Sequence, residues 1–316
     1  MQNQDNFKIL FIGDIVGRPG RSIVHKFLVE ENNKQNYDFI IANAENASHG
    51  FGLTKKNYED LKSYGINCLT SGNHIWDKKD IANYIDEADI LIRPYNYHKS
   101  AFGVGYRIFN DKIIVINLLG KVFMPPIDCP FVAIENILNE IKEKTSLEDK
   151  IIFVDFHAEA TAEKQCFAQY AFSLGVNAVI GTHTHVPTAD EQIIDEKYAY
   201  LTDAGFCGSK NGVIGMEYQS SFKRLLTSIN ERFEVEVKMP YIFNACEITF
   251  ENNIAKSINR ISFEYSDLKE KDSETWFTYS HNLLWWDVES WTNCWYCAWL
   301  WARLYCFNWP RQRFIS

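Results

Sequence analysis

The sequence lacks any cluster of lysine and arginine residues interleaved with aromatic ones, and its formal net charge is -9. Extended binding along a nucleic acid backbone, which requires a basic surface, is therefore excluded. A small anionic substrate stays open, because bound metal ions can reverse the potential of a site. The first residues, Met1 to Phe7, contain no positively charged region that leads into an apolar segment, so we expect no secretory signal.

A cysteine framework is also missing. The eight cysteines are scattered, and five lie singly within or beside predicted elements: Cys68, Cys129, Cys166, Cys207 and Cys246. Reduced thiols are the simpler interpretation, and they indicate a cytoplasmic protein. Cys294-x-x-Cys297, together with Cys306, is only a weak signal for zinc or redox chemistry.

Lysine is absent from about Asp272 onwards, where the composition changes abruptly. Eight of the nine tryptophans lie in this part: Trp276, Trp285, Trp286, Trp291, Trp295, Trp299, Trp301 and Trp309. Charged residues interrupt the aromatic stretch 285–304, which makes it a poor membrane span. We therefore predict one domain over residues 1–271. Residues 272–316 are interpreted as a Trp-rich tail foreign to that domain, such as a frameshifted or readthrough end.

Hydrophobic residues make up 46% of the chain and charged residues 23%, as in soluble globular proteins. Five short apolar runs in it resemble buried strands, and each ends in polar residues. The runs and the residues that follow them are 8–12 with Asp14, 39–42 with Glu45 and Asn46, 67–71 with Asn73 and His74, 151–156 with His157, and 178–181 with His183 and His185. Functional groups are common at the carboxyl ends of strands in open α/β sheets.

Apolar spacing predicts the remaining elements. Helices are expected over residues 23–33, 55–64, 77–88, 131–144 and 162–174, and further strands over 198–202, 232–240, 245–250 and 256–265. Two runs, 103–109 and 113–118, flank Asn110-Asp111 and predict a hairpin. The glycines between Asp14 and Gly20 predict a tight turn after the first strand, and the irregular segment 120–130 is long enough to form part of a rim or lid.

Each polar residue at a strand end also has an ordinary explanation. Asp14 could form a turn, and Glu45 could lie on a surface loop. Asp77 could accept a hydrogen bond from His74 or cap the following helix. The rings of His183 and His185 would point to opposite faces of an extended segment, whereas a turn after the strand could bring both to one centre.

Two further segments stay open. Arg18 could reach a phosphate or simply lie on the surface. The glycine-rich segment 203–215 could border a site or serve as a plain connection.

Taken together, the strand ends supply oxygen and imidazole ligands and no thiolate. Such a set suits two divalent ions of intermediate hardness, such as iron, manganese or zinc, better than a structural zinc site made of cysteines. Seven ligands are candidates: Asp14, Glu45, Asn46, Asn73, His157, His183 and His185. With one carboxylate shared between the ions, positions remain for water and substrate.

Five motifs carry a resemblance to a known family. In order they are Gly-Asp-Ile-Val-Gly from residue 13, Ala-Glu-Asn from 44, Gly-Asn-His from 72, Phe-His-Ala-Glu from 156 and Gly-Thr-His-Thr-His from 181. From about Phe7 to Tyr265 the sequence resembles the YmdB-like family of calcineurin-like metallophosphoesterases. The wider superfamily has Asp-x-His where this chain has Asp14-Ile15-Val16, and Gly-Asp where it has Glu45-Asn46. The YmdB-like branch shares both changes, with Asn46 in place of the missing histidine.

The resemblance implies an α/β fold with a central β-sandwich flanked by helices and a two-metal centre at strand ends. It places Asp14, Asn46 and His185 on one ion, Asn73, His157 and His183 on the other, and Glu45 between them. The implied reaction is in-line attack of a metal-bound hydroxide on a phosphodiester, with His74 as the catalytic residue that stabilises or protonates the leaving alkoxide.

The implied substrates are cyclic nucleotides, both 2′,3′-cyclic and 3′,5′-cyclic monophosphates, although no base-recognition motif is present. Iron is the metal that the resemblance suggests, with manganese or zinc as alternatives. Neither a membrane nor an extended nucleic acid is an expected partner, and a homo-oligomer stays open.

Other functions remain alternatives. A phosphomonoesterase or protein phosphatase could use the same centre. A regulatory protein could bind a nucleotide through metals without turnover. A metal-dependent amidase ranks last, because the ordered motifs favour phosphoester chemistry.

Overall fold

Two β-sheets and five α-helices make up the part of the chain described by the structure, a computed structural model covering residues 6–229 and 232–267. The strands are β1 Asn6–Ile12, β2 Asp14–Ile15, β3 Phe39–Asn43, β4 Cys68–Thr70, β5 Tyr106–Phe109, β6 Ile113–Leu119, β7 Ile151–His157, β8 Ala178–Thr182, β9 Gln192–Ile194, β10 Tyr198–Leu201, β11 Phe206–Ser209, β12 Tyr241–Glu251 and β13 Ile254–Tyr265. The helices are α1 Gly17–His25, α2 Lys55–Ser63, α3 Pro130–Lys142, α4 Thr161–Ser173 and α5 Tyr218–Thr227. The predicted tail, 272–316, lies outside the described residues.

The first sheet has seven strands in the order β2-β11-β12-β1-β3-β4, with β13 paired to β12. Strands β1, β3 and β4 run parallel, whereas β12 is antiparallel to β1. The second sheet has six strands in the order β5-β6-β7-β8-β10-β9. Its strands β6, β7, β8 and β10 are parallel, and an antiparallel strand closes each edge.

The core explains why the central strands read as continuous apolar runs. Every residue of β6 and β7 is buried, as expected for parallel strands covered on both faces. One cluster of buried side chains includes Phe11 and Ile41 from the first sheet and Phe153 and Ile180 from the second. A second cluster joins the other face of β6, β7 and β8 to α3 and α4. The fold is thus a mixed α/β arrangement of two sheets and helices.

Several sequence predictions are confirmed. The five apolar runs with polar ends are strands β1, β3, β4, β7 and β8, and helices occupy most of 55–64, 131–144 and 162–174. The predicted hairpin is formed by β5 and β6. Asn110 and Asp111 have φ values of 50° and 51°. Positive φ at both central residues is the geometry of a tight two-residue hairpin turn, which Asn and Asp tolerate.

The helix predicted over 77–88 is wrong. Only Lys79–Asn83 is helical, and it is a 3-10 segment. Ile81, Tyr84, Ile85 and Ala88 are buried at helical spacing, but most of the backbone bonds here span three residues, as in Tyr84 N to Ile81 O. Successive tight turns bury residues at nearly the same period as a helix, so the pattern could not separate the two.

Two other sequence predictions need correction. Helix α1 begins at Gly17, within the segment predicted as a turn, and a π-helical stretch, Lys26–Glu30, follows it. Pro19 is tolerated because it falls in the first helical turn. No strand forms over the described segment 232–240, where Val235 makes only an isolated bridge with Met216.

In the described part of the chain, no helix has both the length and the apolar character that crossing a bilayer would need.

Candidate metal centre

The predicted ligands come together because the parallel strands that carry them end at a common place. Asp14 begins β2, two residues after the end of β1, and Glu45 and Asn73 follow the ends of β3 and β4. His157 is the last residue of β7, and His183 follows β8. Asp14, Glu45 and His157 are almost completely buried. The backbone fits closely here: a Cβ atom on Gly72 would lie 2.3 Å from both Glu45 Oε2 and His157 Nε2. The glycine of Gly-Asn-His is therefore needed for the strand end to approach the site.

One group of side chains surrounds His185. Its Nε2 atom lies 3.1 Å from Asn46 Nδ2 and 3.8 Å from Asp14 Oδ1. Asn46 Nδ2 is also 3.1 Å from Glu45 Oε1. These contacts bring the residues predicted for one ion beside Glu45, the carboxylate predicted to lie between the ions.

A second group surrounds His157. Its Nε2 atom is 3.1 Å from each of three atoms: Asn73 Oδ1, His183 Nδ1 and Glu45 Oε1. Ligand atoms of Glu45, His157 and His183 all lie within 4.8 Å of one another, close enough to hold one metal ion. Glu45 Oε1 thus touches both groups.

Both histidines of the His-x-His motif face the same centre. His183 has a φ of 99° and His185 a φ of 63°, which is uncommon for residues other than glycine. These angles turn the backbone so that the two rings do not point to opposite sides, as they would in an extended segment. Strained backbone of this kind persists only where the surrounding structure holds it, and it is concentrated at functional sites.

Outer contacts fix which ring nitrogen faces the centre. His185 Nδ1 lies 2.8 Å from the carbonyl oxygen of Ile214, which can only accept, so this nitrogen carries the proton and Nε2 is left for a ligand bond. His183 Nε2 lies 3.2 Å from a Glu159 carboxylate oxygen, which directs Nδ1 inwards. His157 Nδ1 lies 2.9 Å from Thr182 Oγ1. Because Ile214 belongs to the glycine-rich segment 203–215, that segment borders the site.

Two buried oxygens support a cation at this place. Among the described residues, Asp14 Oδ1 and Asn46 Oδ1 are buried side-chain atoms without a hydrogen-bond partner. A buried polar atom left unpaired is costly, and a bound metal ion is one partner that such an oxygen can gain. Carboxylate, amide and imidazole ligands suit divalent ions of intermediate hardness, so the residues fit the predicted metals.

The concentration of charge shifts the pKa values of the cluster. Burial raises the pKa of Asp14 well above its usual value. Burial also acts against the charged form of His157, but the charge and hydrogen bond of Glu45, together with the charges of Asp14 and Asp155, outweigh it and raise the pKa of His157 to about 9. Burial and the neighbouring His157 lower the pKa of His183 to about 3. The cluster therefore combines ionisable groups in a way that is typical of functional sites.

His74 lies at the edge of the cluster rather than inside it. Its backbone N–H donates to Glu45 Oε2 at 3.0 Å, and its ring Nδ1 is 2.9 Å from Asp77 Oδ2. Its side chain is 30% exposed, and the ring packs edge-on against Phe51. Of the two roles considered for Asp77, the contact with His74 is the one present, because no α-helix begins there. Arg18 is exposed on α1.

Sequence reasoning missed a buried polar network beneath the ligands. Asp155, in the middle of β7, accepts hydrogen bonds from Thr182 Oγ1 at 2.7 Å, Thr70 Oγ1 at 2.5 Å and Asn43 Nδ2 at 3.0 Å. It also missed the buried ion pair between Lys164 and Asp203. The available signal was a carboxylate inside an otherwise apolar strand, two residues before His157 and therefore on the same face.

Comparison with known proteins agrees with this arrangement of motifs. A sequence profile that describes YmdB-like proteins matches residues 10–261, which is most of the chain. The chain belongs to the YmdB-like family. The resemblance inferred from the five motifs is thus confirmed, and the match contains every predicted ligand.

Relatives of this YmdB-like chain include a Bacillus subtilis protein named 2′,3′-cyclic-nucleotide 2′-phosphodiesterase. The two are 43% identical over 231 residues, covering 72% of this chain and 86% of the relative. A crystal structure of a Mycoplasma pneumoniae protein described as a novel phosphatase matches with a TM-score of 0.73 and 36% identity, covering 84% of this chain and 95% of that one. A Thermus thermophilus protein described as hypothetical matches with a TM-score of 0.74 and 33% identity, covering 82% of this chain and 100% of that one.

Proposed function

We propose that the chain is a two-metal phosphodiesterase that hydrolyses cyclic nucleotides, with 2′,3′-cyclic monophosphates as the first substrates to test and 3′,5′-cyclic monophosphates as the second. The observation that carries this proposal is the convergence of two ligand groups on the buried carboxylate of Glu45. Family membership makes the chain a hydrolase of phosphoesters, and the name of the Bacillus subtilis relative supports the diester and the 2′,3′-cyclic substrate.

The two groups of contacts suggest how the ions would be held. Asp14, Asn46 and His185 would hold one ion, and the residues around His157 Nε2, namely Asn73 and His183, would join His157 on the other. Glu45 would lie between the ions. Iron is the metal we propose, with manganese or zinc able to replace it. Two bound divalent ions supply an activated water and stabilise the charge of the attacking and leaving oxygens of a phosphodiester.

The protein's own contribution to proton transfer is His74. Because Asp77 Oδ2 lies 2.9 Å from Nδ1, it orients the ring, which leaves Nε2 to give a proton to the leaving oxygen. Its partial exposure at the edge of the cluster allows a substrate to reach the ring. Five of the seven proposed ligands are buried: Asp14, Glu45, Asn46, His157 and His185.

The proposal includes three broader expectations. The two sheets, which share a core cluster, would form the β-sandwich of calcineurin-like metallophosphoesterases. The reaction would take place in the cytoplasm on a small nucleotide, which agrees with five free cysteines in the described part of the chain. Residues 1–271 would form the catalytic domain.

Paired assays test the reaction type. Bis-p-nitrophenyl phosphate, p-nitrophenyl phosphate and 2′,3′-cyclic AMP would each be given to the full-length protein with added Mn²⁺ or Fe²⁺. We expect hydrolysis of the two diesters and little of the monoester. A preference for the monoester would instead support a phosphomonoesterase, the alternative that the description of the Mycoplasma pneumoniae protein as a phosphatase favours.

A His74→Ala variant separates catalysis from metal binding. We expect it to retain its metals and lose most hydrolysis, since the ring supplies a proton and no metal ligand; a general acid typically contributes about 10²–10⁴-fold. His98→Ala, at an exposed histidine elsewhere, is the matched control and should keep full activity. Metals and nucleotide bound without any turnover by the wild type would support the regulatory alternative.

A further inference from the structure

Beneath the His-x-His turn lies an ion pair that contributes no atom to the centre. The ammonium of Lys164 in α4 and the carboxylate of Asp203 after β10 are almost fully buried, with Nζ 2.8 Å from Oδ2. Taking two charges out of water is costly, and the attraction between them in the interior does little more than offset that cost. Such a pair is weak evidence for stability, so its particular contacts indicate what it does.

The contacts of both partners fall on the turn and on the segment beside it. Lys164 Nζ donates to the carbonyl of Thr182 at 2.8 Å. Asp203 Oδ2 accepts from the backbone N–H of Thr184 at 3.1 Å and from its hydroxyl at 2.8 Å. Thr182 and Thr184 flank His183, and Thr184 also precedes His185. The pair therefore holds the backbone on both sides of the residues that have unusual φ values.

The same ion pair also connects to Asp14, the predicted ligand in β2. Asp203 Oδ1 accepts from the N–H of Gly205 at 2.9 Å, and the carbonyl of Gly205 accepts from the N–H of Asp14 at 3.0 Å. The fit is tight, since a Cβ atom on Gly13 would lie 2.1 Å from that carbonyl oxygen. Asp14 Oδ2 in turn accepts from the N–H of His183 at 3.2 Å. Three predicted ligands thus depend on backbone segments that Asp203 joins.

We propose that Lys164 and Asp203 are positioning residues of the metal centre, which hold the turn 182–185 against Gly205 so that His183, His185 and Asp14 face the same ions. This inference rests on the proposed two-metal function. It predicts that the ion pair acts on metal affinity and not on the chemical groups that meet the substrate.

Mn²⁺ binding to the full-length protein tests the inference by calorimetry. Lys164→Met keeps the length of the side chain but breaks the pair and the bond to Thr182. Losing an outer partner of a metal ligand typically weakens metal affinity about 10–100-fold, and we expect a loss in that range. Cobalt substitution gives a second readout, because a displaced His183 or His185 would change the visible absorption of bound Co²⁺.

Lys150→Met is the matched control. Lys150 is also buried, and its Nζ donates to the carbonyl of Asp111 at 2.9 Å and to the Asp111 carboxylate at 2.6 Å. Lys150 immediately precedes β7, so it lies at the opposite end of that strand from His157. We expect this variant to lose stability but to bind Mn²⁺ with unchanged affinity and to give the Co²⁺ spectrum of the wild type.

A gentler pair of variants covers the case in which Lys164→Met does not fold. Thr184→Val removes one hydrogen bond to Asp203 without breaking the ion pair, and we expect Mn²⁺ affinity to fall by about tenfold. Thr184→Ser restores the hydroxyl and should restore the affinity. The inference would be overturned if Thr184→Val, and Lys164→Met where it folds, bound Mn²⁺ with wild-type affinity and gave the wild-type Co²⁺ spectrum. That result would leave the proposed function standing. Failure of the wild type to bind Mn²⁺ would instead overturn the function.

Discussion

At the scale of single residues, the centre depends on small differences in side-chain size and ring orientation. Gly72 shows this most directly, because the space that a Cβ atom would occupy already belongs to Glu45 and His157. His183 and His185 show it in another way, since their rings reach one centre only through unusual backbone angles. The site is thus built from ordinary residue types held in particular positions.

Gly72→Ala should therefore damage the centre while leaving the rest of the fold in place. Overpacking a tight site typically costs about 1–3 kcal/mol, and here the added methyl must displace Glu45 or His157. We expect metal content, measured by elemental analysis of the purified protein, to fall together with hydrolysis.

Gly175→Ala provides the comparison for this substitution. A Cβ atom at Gly175 would meet no atom within 4 Å, but its φ of 96° makes alanine unfavourable, by about 1 kcal/mol. We expect a modest loss of stability in chemical denaturation with metal content unchanged. Equal metal content in the two variants would contradict the role assigned to Gly72.

Residue types at strand ends could be predicted from the sequence, but their orientation could not. The ligand types and their order follow from the five motifs. Asp203, which lies beyond the next two strands of the chain, accepts hydrogen bonds from Thr184, the residue between His183 and His185. Long-range contacts of this kind leave no local pattern in the sequence. The sequence did not reveal the Lys164–Asp203 pair for the same reason.

At the scale of elements, β7 links the two sheets near the site. Its Asp155 accepts hydrogen bonds from Asn43 in β3 and Thr70 in β4 of the first sheet, and from Thr182 in β8 of the second. A buried carboxylate surrounded by three donors keeps the strand ends at fixed distances. Strand β7 thus provides a predicted ligand, His157, and the support beneath it.

Asp155→Ala should be strongly destabilising. It leaves three buried donors without their acceptor, at roughly 1 kcal/mol or more each, so we expect the free energy of unfolding to fall by about 3 kcal/mol. Urea denaturation followed by circular dichroism measures this. Asp149→Ala, at an exposed position just before the same strand, should change stability by less than about 0.5 kcal/mol. A similar small change in both variants would show that the network is not structural.

The segment 120–130 is fastened to α4 by Glu163. Its two carboxylate oxygens accept the backbone N–H groups of Lys121 at 2.8 Å and Val122 at 3.0 Å. The N–H of Gly120 donates to the carbonyl of His157 at 3.0 Å, so the segment starts beside the site. We expect Glu163→Ala to increase hydrogen exchange at residues 121–124 measured by mass spectrometry, because both backbone donors lose their acceptor.

Glu143→Ala, at an exposed glutamate that follows α3, is the control and should leave exchange in this segment unchanged. If exchange at 121–124 stays the same in Glu163→Ala, other contacts hold the segment and the role given to Glu163 is wrong.

Sequence patterns recovered the elements with strong periodicity and failed where turns repeat at a similar spacing. The buried strands, α3, α4 and the hairpin at Asn110-Asp111 follow directly from local residue patterns. The 3-10 segment Lys79–Asn83 does not, since its buried residues have helical spacing. Residues 232–240 alternate like a strand, yet only Val235 bridges to another segment, Met216. Pairing partners decide such cases, and one sequence does not reveal them.

At the scale of the whole molecule, the family match and the described structure cover nearly the same part of the chain. The match ends at residue 261, and β13 ends at Tyr265. All predicted ligands lie within these limits. We therefore propose that the catalytic function belongs to residues 1–271.

Truncation after Lys271 tests that boundary. We expect the shortened chain to bind Mn²⁺ and hydrolyse 2′,3′-cyclic AMP as the full-length protein does, because no predicted ligand is removed. The comparison requires equal amounts of folded protein, checked by circular dichroism. Loss of metal binding in a folded truncated chain would move the domain boundary into the tail.

Glu45 joins the two groups of predicted ligands, and together they are proposed to form a metal centre that cleaves a phosphodiester. The most direct measurement is hydrolysis of 2′,3′-cyclic AMP by full-length protein stripped of metal and then given Mn²⁺, beside a Glu45→Gln variant treated identically. We predict that hydrolysis disappears on stripping, returns with Mn²⁺ in the wild type, and stays absent in Glu45→Gln. Undiminished hydrolysis by the stripped protein, or by the variant, would contradict the account.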